Sequence, residues 1–297
     1  EAYAWALALT RMISAVFRRG GDVSFVVEEL KAIFDPRGGQ WMGGRYVASL
    51  LAAMQQHRID YLPGSAELGD FDATSTTIAL APGGEQGRLP QQALGATFQR
   101  YWNEFVARRD GKREWKDYTP YEWRNVAAFV RLGWRDRAWQ ATEFFFKDRA
   151  PQAWNQWAEV VSRTPRKPFF VGDLPHAWVA SDFVRSALDM FGYNRDADEA
   201  LVLAAGIPVA WLQGEGIAVQ GLRTPQGQLN YRLQRSDKQL VLEVQPGLVP
   251  PAGGVVLPWP YAGEPGQATV NGEAAEWVNN ELHVHQLPAR VEIDVPS

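Results

Sequence analysis

The sequence predicts a mainly α-helical chain that ends in an antiparallel β-sandwich, and therefore a multidomain α and β protein. Two observations lead to this fold class. In the earlier part of the chain, apolar residues recur at helical spacing in segments that short loops separate. In residues 217–296, short runs of alternating apolar residues are separated by turns rich in glycine, proline and asparagine. A hydrophobic content of 46% suffices for packed cores in both parts.

The first predicted segment, residues 1–56, is helical. Apolar residues at helical spacing predict one helix over residues 1–18, and two glycines that follow are expected to end it. Asp22 is a good N-cap residue and predicts a second helix over residues 23–34. A third helix is expected to begin near Tyr46.

The second predicted segment, residues 57–212, alternates helices with short loops. Asp72 is expected to cap a short helix at residues 75–80, because its side chain can accept hydrogen bonds from the first turn. Thr119-Pro120-Tyr121-Glu122 has the sequence of a capping box with proline at the first helical position. Further helices are predicted at residues 90–109, from the capping box to Leu132, at residues 136–147, and from Ser181 or Asp182 to about Phe191. This succession indicates a partial α-hairpin toroid.

The third predicted segment, residues 213–297, is the β-sandwich. Its alternating apolar runs are Leu229–Leu233, Leu240–Val244, Val255–Leu257, Leu282–Val284 and Val291–Val295. Turn residues such as Asn271-Gly272 fall between the runs, and short strands separated in this way are typical of an antiparallel domain.

Composition excludes several function classes. A net charge of −4 gives no electrostatic footprint for nucleic acid, and no apolar run approaches the ~20 residues of a membrane helix. The absence of cysteine excludes disulfides, thiolate metal sites and thiol catalysis, and it leaves the cellular compartment and oligomeric state open. We expect no cofactor and no metal. His283 and His285 alternate on a predicted strand, and we expect no acid beside them to complete a metal site.

The string ISAVFRRGGDVSFVVEELKAIFDPRGGQWMGGRYV, residues 13–47, resembles the end of the TSCPD module associated with vitamin B12-dependent ribonucleotide reductases. The resemblance covers residues 1–54 and implies a role in nucleotide metabolism. The radical and redox cysteines that reductase chemistry needs are absent from this chain.

From residue 57 onward the chain resembles a different family. The strings that carry this resemblance are YLPGSAELGDFDATSTTIAL, YTPYEWRNVAAFVRLG, WNQWAEVV and GDLPHAWVASDFVRS. They resemble the C-terminal part of bacterial six-hairpin, (α/α)6-barrel glycosidase-like proteins, which often carry a discoidin (coagulation factor 5/8) type domain. The resemblance implies a carbohydrate substrate or glycan ligand and a β-sandwich after the barrel.

The two resemblances meet near residues 48–58, inside a predicted helix. An evolved fusion is expected at a linker, and this stretch contains none. We therefore interpret the join as a recombination or an assembly artefact. The helical pattern that begins at residue 1 further predicts that the chain is a fragment. The helices predicted in residues 65–195 are too few for a complete six-hairpin barrel, so we expect part of the barrel to be missing and the chain alone to have little or no hydrolase activity.

Glycoside hydrolysis in most families uses two carboxyl groups that face each other across the scissile bond. The candidate catalytic residues are the acids that lie near aromatic residues: Glu67, Asp70, Asp72, Glu122 and Glu159. Sugar rings stack on aromatic faces while nearby polar groups bind their hydroxyls. The candidate substrate-binding residues are Trp123, Asn155, Trp157, His176 and Trp178.

Structural roles compete with these assignments. Glu122 holds the third helical position of the capping box and Asp72 an N-cap position, so both are explained without a ligand. His176 flanks a proline turn, where a side chain that satisfies the backbone is expected. Three acids lie in loops without an evident helix role: Glu67, Asp70 and Glu159.

Three functions therefore remain open. The first is a glycosidase-like carbohydrate-active protein, the second a nucleotide-metabolism module, and the third a non-catalytic carbohydrate-binding module whose tryptophans bind glycan.

Overall fold

The computed structural model describes most of the chain from Leu50 onward and little before it. The described residues are 16, 40–42, 45–47, 50–114, 117–118, 120–149, 152–162 and 173–295. The helices predicted over residues 1–18 and 23–34 lie outside this set, except that Val16 is helical.

The chain divides into two compact units. The first comprises Glu1–Ile59 and Ser65–Gly69, and the second comprises Asp60–Gly64 and Asp70–Ser297. The fold class is confirmed: apart from two short two-stranded pairings, the described helices precede two sheets rich in antiparallel pairs. Among the described residues, no helix is long and apolar enough to cross a membrane.

The first unit contains a small hairpin and one described helix. Strands β1 (Gln40–Met42) and β2 (Arg45–Val47) pair antiparallel, and helix α1 (Leu50–His57) follows. The prediction of a helix start near Tyr46 was therefore wrong. Tyr46 lies opposite Trp41 in the hairpin, and this backbone pairing with an earlier segment is invisible to helical periodicity.

The described helices of the second unit follow the predicted order. They are α2 (Ala73–Leu80), α3 (Gln91–Arg109), α4 (Arg124–Arg131), α5 (Arg135–Lys147) and α6 (Ala177–Phe191). A two-residue pairing joins the loops between them, with β3 (Asp117–Tyr118) antiparallel to β4 (Val161–Ser162). Buried apolar side chains of α3 and α4 form the centre of the helical core: Leu94, Phe98, Phe105, Val126 and Phe129.

Two predicted helix starts were wrong. Residues Pro120–Trp123 form a 3-10 turn, and α4 begins only at Arg124. Helix α6 begins at Ala177, one turn before the predicted Ser181 or Asp182, because His176 acts as its N-cap. The Nδ1 atom of His176 accepts a hydrogen bond from the amide of Val179 at 3.3 Å, which satisfies one donor of the first turn.

The β part contains two sheets. Its strands are β5 (Gly192–Arg195), β6 (Ala200–Leu203), β7 (Ile217–Thr224), β8 (Gly227–Arg235), β9 (Gln239–Val244), β10 (Val255–Pro258), β11 (Ala268–Val270), β12 (Glu273–Ala275), β13 (Trp277–Val278), β14 (Glu281–Val284) and β15 (Ala289–Asp294). One sheet has the order β13-β14-β10-β6-β5 and the other β12-β11-β15-β9-β8-β7. All neighbours are antiparallel except β6 and β10.

The sheets extend further upstream than predicted. Strands β5 and β6 lie before residue 213, where the sequence placed the boundary, yet they belong to the same sheet as β10 and β14. Alternate residues of β8 and β9 are buried, in agreement with the predicted runs. The hydroxyl of Tyr231 in β8 donates a hydrogen bond to the carbonyl of Phe191 at 2.7 Å, which ties the end of α6 to the sheet.

Candidate functional site

The three acids predicted near residue 70 differ in their surroundings. Glu67 is exposed and belongs to the first unit, whereas Asp70 and Asp72 belong to the second. Asp70 is also exposed, and its carbonyl accepts the amide of Gly64 at 2.9 Å. The sequence gives Glu67 and Asp70 no helix role, and neither lies in the first turn of a described helix.

Asp72 is the N-cap of α2. Its Oδ1 accepts hydrogen bonds from the amides of Thr74 at 2.9 Å and Ser75 at 3.1 Å, and both hydroxyls also donate to its carboxylate. Partial burial raises the pKa of Asp72, but the hydrogen bonds from Ser75 and Thr74 outweigh it, so the net pKa lies below the ordinary value. The capping interpretation is confirmed. The hydrogen bonds of the first helical turn already use both oxygens of this carboxylate.

Glu122 serves neither as a helix cap nor as an open carboxylate. It is buried, and Arg108 donates to both of its oxygens, with Nη2 to Oε2 at 2.6 Å. The hydroxyl of Tyr101 donates to the same Oε2 at 2.6 Å. Burial, and next the negative charge of Glu122, raise the pKa of Tyr101 well above its ordinary value. Glu122 is therefore the centre of a buried polar network within the helical core.

Two of the predicted substrate-binding tryptophans lie in the core. Trp123 is 1% exposed and Trp157 is 7% exposed. Their rings meet at 5.0 Å between centroids, and both contact Phe146 and Phe183. Their assignment as glycan-binding residues is corrected, because an indole enclosed by other aromatic side chains offers no face to a ligand.

The remaining candidates converge on one surface. Trp178 is 60% exposed, and its ring stands edge-to-face against Tyr121, with centroids 5.6 Å apart. His176 contacts the same phenol, at 5.6 Å between ring centroids and 3.4 Å between Nε2 and the hydroxyl oxygen. We call this the Trp178 surface, and its members are Tyr121, Arg124, Glu159, His176, Trp178 and Asp182.

Two members of the Trp178 surface, Arg124 and Asp182, form a largely buried ion pair. Arg124, the first residue of α4, donates to Oδ2 of Asp182 from Nε at 3.0 Å and from Nη2 at 2.7 Å. Its guanidinium carbon also lies 5.0 Å from the ring centroid of Tyr121 and 5.8 Å from that of Trp178. Trp178 and Asp182 are one helical turn apart on α6, so both face the same side.

Backbone contacts bring Glu159 to this surface. The amide of His176 donates to the carbonyl of Trp157 at 2.8 Å, and the amide of Glu159 donates to the carbonyl of Asp173 at 3.1 Å. The loop around Glu159 is thereby fixed beside the residues that precede α6. Burial is the main cause that raises the pKa of Tyr121, and the charge of Glu159 is the next.

Asp182 has a distinct electrostatic environment. Burial raises its pKa above the ordinary value, although the hydrogen bonds and positive charge of Arg124 act in the opposite direction. The Trp178 surface thus combines an exposed indole, a fixed cation and carboxylates in two different environments.

Asn155 shows no contact with the Trp178 surface in the described part of the chain. It is exposed, adopts a φ of 52°, and follows the 3-10 turn Gln152–Trp154. Sequence reasoning found Glu159, His176 and Trp178 but missed Tyr121, Arg124 and Asp182. Trp178 and Asp182 are four residues apart, which places them on one face of a helix. The sequence prediction began this helix at Ser181 or Asp182, so it left Trp178 outside the helix and missed the pair.

No metal centre emerges from the described residues, which contain no group of three or more acids and histidines placed to hold an ion. One sequence observation is corrected, because an acid does lie near His283. Its Nε2 is 3.8 Å from Oε2 of Glu281, and that carboxylate is itself paired with Arg195.

Four cavities formed by described residues of the second unit have volumes of about 590, 550, 430 and 190 Å³, and none of the ten predicted site residues lines any of these four. Compared with protein-family models, with curated proteins and with solved structures, the chain gives no match.

Proposed function

We propose that this protein binds carbohydrate at the Trp178 surface. The observation that carries the proposal is the exposed indole of Trp178, held edge-on by Tyr121 next to fixed polar groups. The apolar C–H face of a sugar ring covers such an indole, while its hydroxyls exchange hydrogen bonds with polar neighbours.

Trp178 presents a large apolar surface to solvent on a helix where Val184 and Leu188 are also exposed. Most large apolar side chains of the second unit are buried, and Trp178 sits in the first turn of α6 with 60% of its surface open to solvent. Covering that surface with ligand removes apolar area from water, which contributes about 25 cal/mol per Å². The contact with Tyr121 limits the orientations of the ring, so less conformational entropy is lost on binding.

The polar groups around Trp178 suit hydroxyl recognition. Glu159 supplies acceptors, and the Tyr121 hydroxyl can donate or accept. The Nε2 atom of His176 is a donor, because its Nδ1 already accepts the amide of Val179. Arg124 and Asp182 fix each other, and this pair holds α4 against α6 beneath the aromatic rings. Rigid support of this kind keeps binding groups in one geometry.

Affinity electrophoresis through gels that contain a panel of neutral and acidic polysaccharides tests the proposal. We expect at least one polysaccharide to retard the wild-type protein. The same polysaccharide should not retard the Trp178→Ala variant. Trp211→Ala is the matched control, because Trp211 is 40% exposed and packs on Trp139 instead. Equal retardation of all three proteins, or no retardation by any polysaccharide, would contradict the proposal.

Glycoside hydrolysis is the second candidate function. The observation that favours it is that the carboxylates of Glu159 and Asp182 both act electrostatically on Tyr121, and that burial raises the pKa of Asp182. Two carboxyls in different environments are the usual arrangement for acid and base roles. We rank binding first because Asp182 is held by Arg124.

Aryl glycosides separate the two candidates. Binding without turnover is the expected result for this chain. Release of the aryl alcohol by the wild type, lost in Glu159→Gln, would establish hydrolysis in its place. No described contact favours the nucleotide-metabolism alternative, whose resemblance covers residues 1–54.

A further inference from the structure

A cavity of about 430 Å³ in the second unit is lined by an excess of cationic groups. It lies where α4, the start of α5 and the first sheet meet. Its lining includes four arginines and two carboxylates: Arg131, Arg135, Arg137, Arg195, Asp136 and Glu281. Guanidinium groups only donate hydrogen bonds, so a lining of this kind favours an occupant that supplies acceptors.

Two of these arginines are already neutralised. Arg131 pairs with Asp189 at 2.5 Å, and Arg195 pairs with Glu281 at 2.6 Å and also with Asp198. Within the described residues, neither Arg135 nor Arg137 has a carboxylate within 4 Å. Arg135 and Arg137 are therefore the lining arginines whose donors are not taken up by an ion pair, although the charge of Asp136 acts on Arg135 from a distance.

Arg135 is held in place by backbone oxygens alone. Its Nη1 donates to the carbonyls of Ala204 at 2.6 Å and Ile207 at 2.5 Å, which fixes one edge of the guanidinium. In the described part of the chain, its other two nitrogens have no hydrogen-bond acceptor. Burial lowers the pKa of Arg135 to about 10, although the charge of Asp136 acts in the opposite direction, so the side chain is still charged at neutral pH.

Other donors around this cavity also lack acceptors. Nη1 of Arg137 and Nε1 of Trp259 are buried without a hydrogen-bond partner among the described residues. Arg137 stacks on the ring of Trp134 at 4.2 Å. Trp134 is the N-cap of α5 but makes no capping hydrogen bond with its side chain, so the first turn of this helix has amides available to an anion.

We propose that this cavity binds a small organic oxyanion, a carboxylate or a phosphate, through Arg135 at the N-terminus of α5. The oxyanion supplies the acceptors that the surrounding donors lack, and its negative charge lies beside Arg135 and Arg137. Aromatic side chains on the walls, namely Trp134, Tyr193, Trp259 and Tyr261, suit a ligand that also has a ring. This site is separate from the residues of the Trp178 surface and does not depend on the function proposed there.

Calorimetric titration with three probes tests the site: glucuronate, glucose and inorganic phosphate. Glucuronate differs from glucose by the carboxylate in place of the hydroxymethyl group, so it isolates the oxyanion. We expect glucuronate or phosphate to bind at least about tenfold more tightly than glucose, as a charge-assisted hydrogen bond provides. If glucuronate binds more tightly than phosphate, the ligand is a carboxylate. If phosphate binds more tightly than glucuronate, the ligand is a phosphate.

Four variants locate the binding. Arg135→Gln and Arg137→Gln are expected to weaken it about tenfold or more. Two control variants are expected to leave anion binding unchanged. Arg185→Gln changes an arginine that lines the separate cavity of about 590 Å³, and Trp178→Ala changes the proposed carbohydrate surface. If Arg135→Gln does not fold, as judged by circular dichroism, Arg137→Gln carries the test. Equal affinity for glucose and both anions, or full binding by folded Arg137→Gln, would overturn the proposal.

Discussion

The indole of Trp178 and the phenol of Tyr121 form an edge-to-face pair, with ring centroids 5.6 Å apart and planes at 78°. The two residues belong to different elements, since Tyr121 lies in the 3-10 turn before α4 and Trp178 lies in the first turn of α6. The pair therefore depends on how these helices pack. It also sets the orientation of the ring that we propose to stack on sugar.

Tyr121→Ala should weaken polysaccharide binding, while Tyr121→Phe should keep most of it. The alanine variant removes the ring that supports Trp178, and aromatic pairs of this kind contribute about 0.5–1.5 kcal/mol. The phenylalanine variant loses only the hydroxyl that lies 3.4 Å from His176. Affinity electrophoresis of both variants measures the difference, and equal binding by both would show that the ring does not position Trp178.

Glu122→Ala should destabilise the protein strongly. The change removes the carboxylate that pairs with the largely buried guanidinium of Arg108, and losing one member of such a pair costs about 3–5 kcal/mol. Urea unfolding followed by far-ultraviolet circular dichroism gives the free energy of unfolding. Glu159→Gln is the control, and its free energy of unfolding should stay close to that of the wild type. A Glu122→Ala protein as stable as wild type would mean that the pair contributes nothing to the fold.

Asp72→Ala should cost about 0.5–2 kcal/mol, the usual effect of losing an N-cap. The folded pKa of Asp72 is below its ordinary value of 3.8, so the unfolded chain takes up the proton first. Its stabilising effect is therefore complete above pH 3.8 and is lost as the pH falls through the folded pKa.

Unfolding measurements at neutral and acid pH test this dependence. The difference between wild type and Asp72→Ala should shrink below pH 3.8. The exposed turn residue Asp237 offers the control, because Asp237→Ala should change stability little at either pH. A difference that is constant across the acid range would contradict the capping role.

Trp123→Ala should cost about 3–5 kcal/mol, because it removes a fully buried indole from the centre of an aromatic cluster. Trp154→Ala should cost little, since Trp154 is 62% exposed. Thermal unfolding of the two variants makes the comparison. Similar melting temperatures would contradict the assignment of Trp123 to the core.

Features that depend on local sequence were predictable. The helix at Gln91–Arg109 was expected at residues 90–109 from its apolar spacing, and Asp72 was expected as a cap because capping involves only the next turn. Alternating runs in β8 and β9 similarly identified the strands whose alternate residues are buried.

Features that depend on distant residues were not predictable. Glu122 matched a capping box, but Arg108 on the preceding helix binds its carboxylate instead. Trp123 and Trp178 both looked like binding residues, and only packing separates the buried ring from the exposed one. Arg124 was missed because its ion-pair partner, Asp182, lies two helices later in the chain.

The affinity of Trp178→Ala for the polysaccharide that best retards the wild type tests the central claim most directly. A calorimetric titration with an oligosaccharide of that polymer gives the dissociation constant of each protein. We predict that Trp178→Ala weakens binding about tenfold or more, as expected for a stacking residue, while Trp211→Ala binds like wild type. An unchanged dissociation constant for folded Trp178→Ala would contradict the claim that this surface binds carbohydrate.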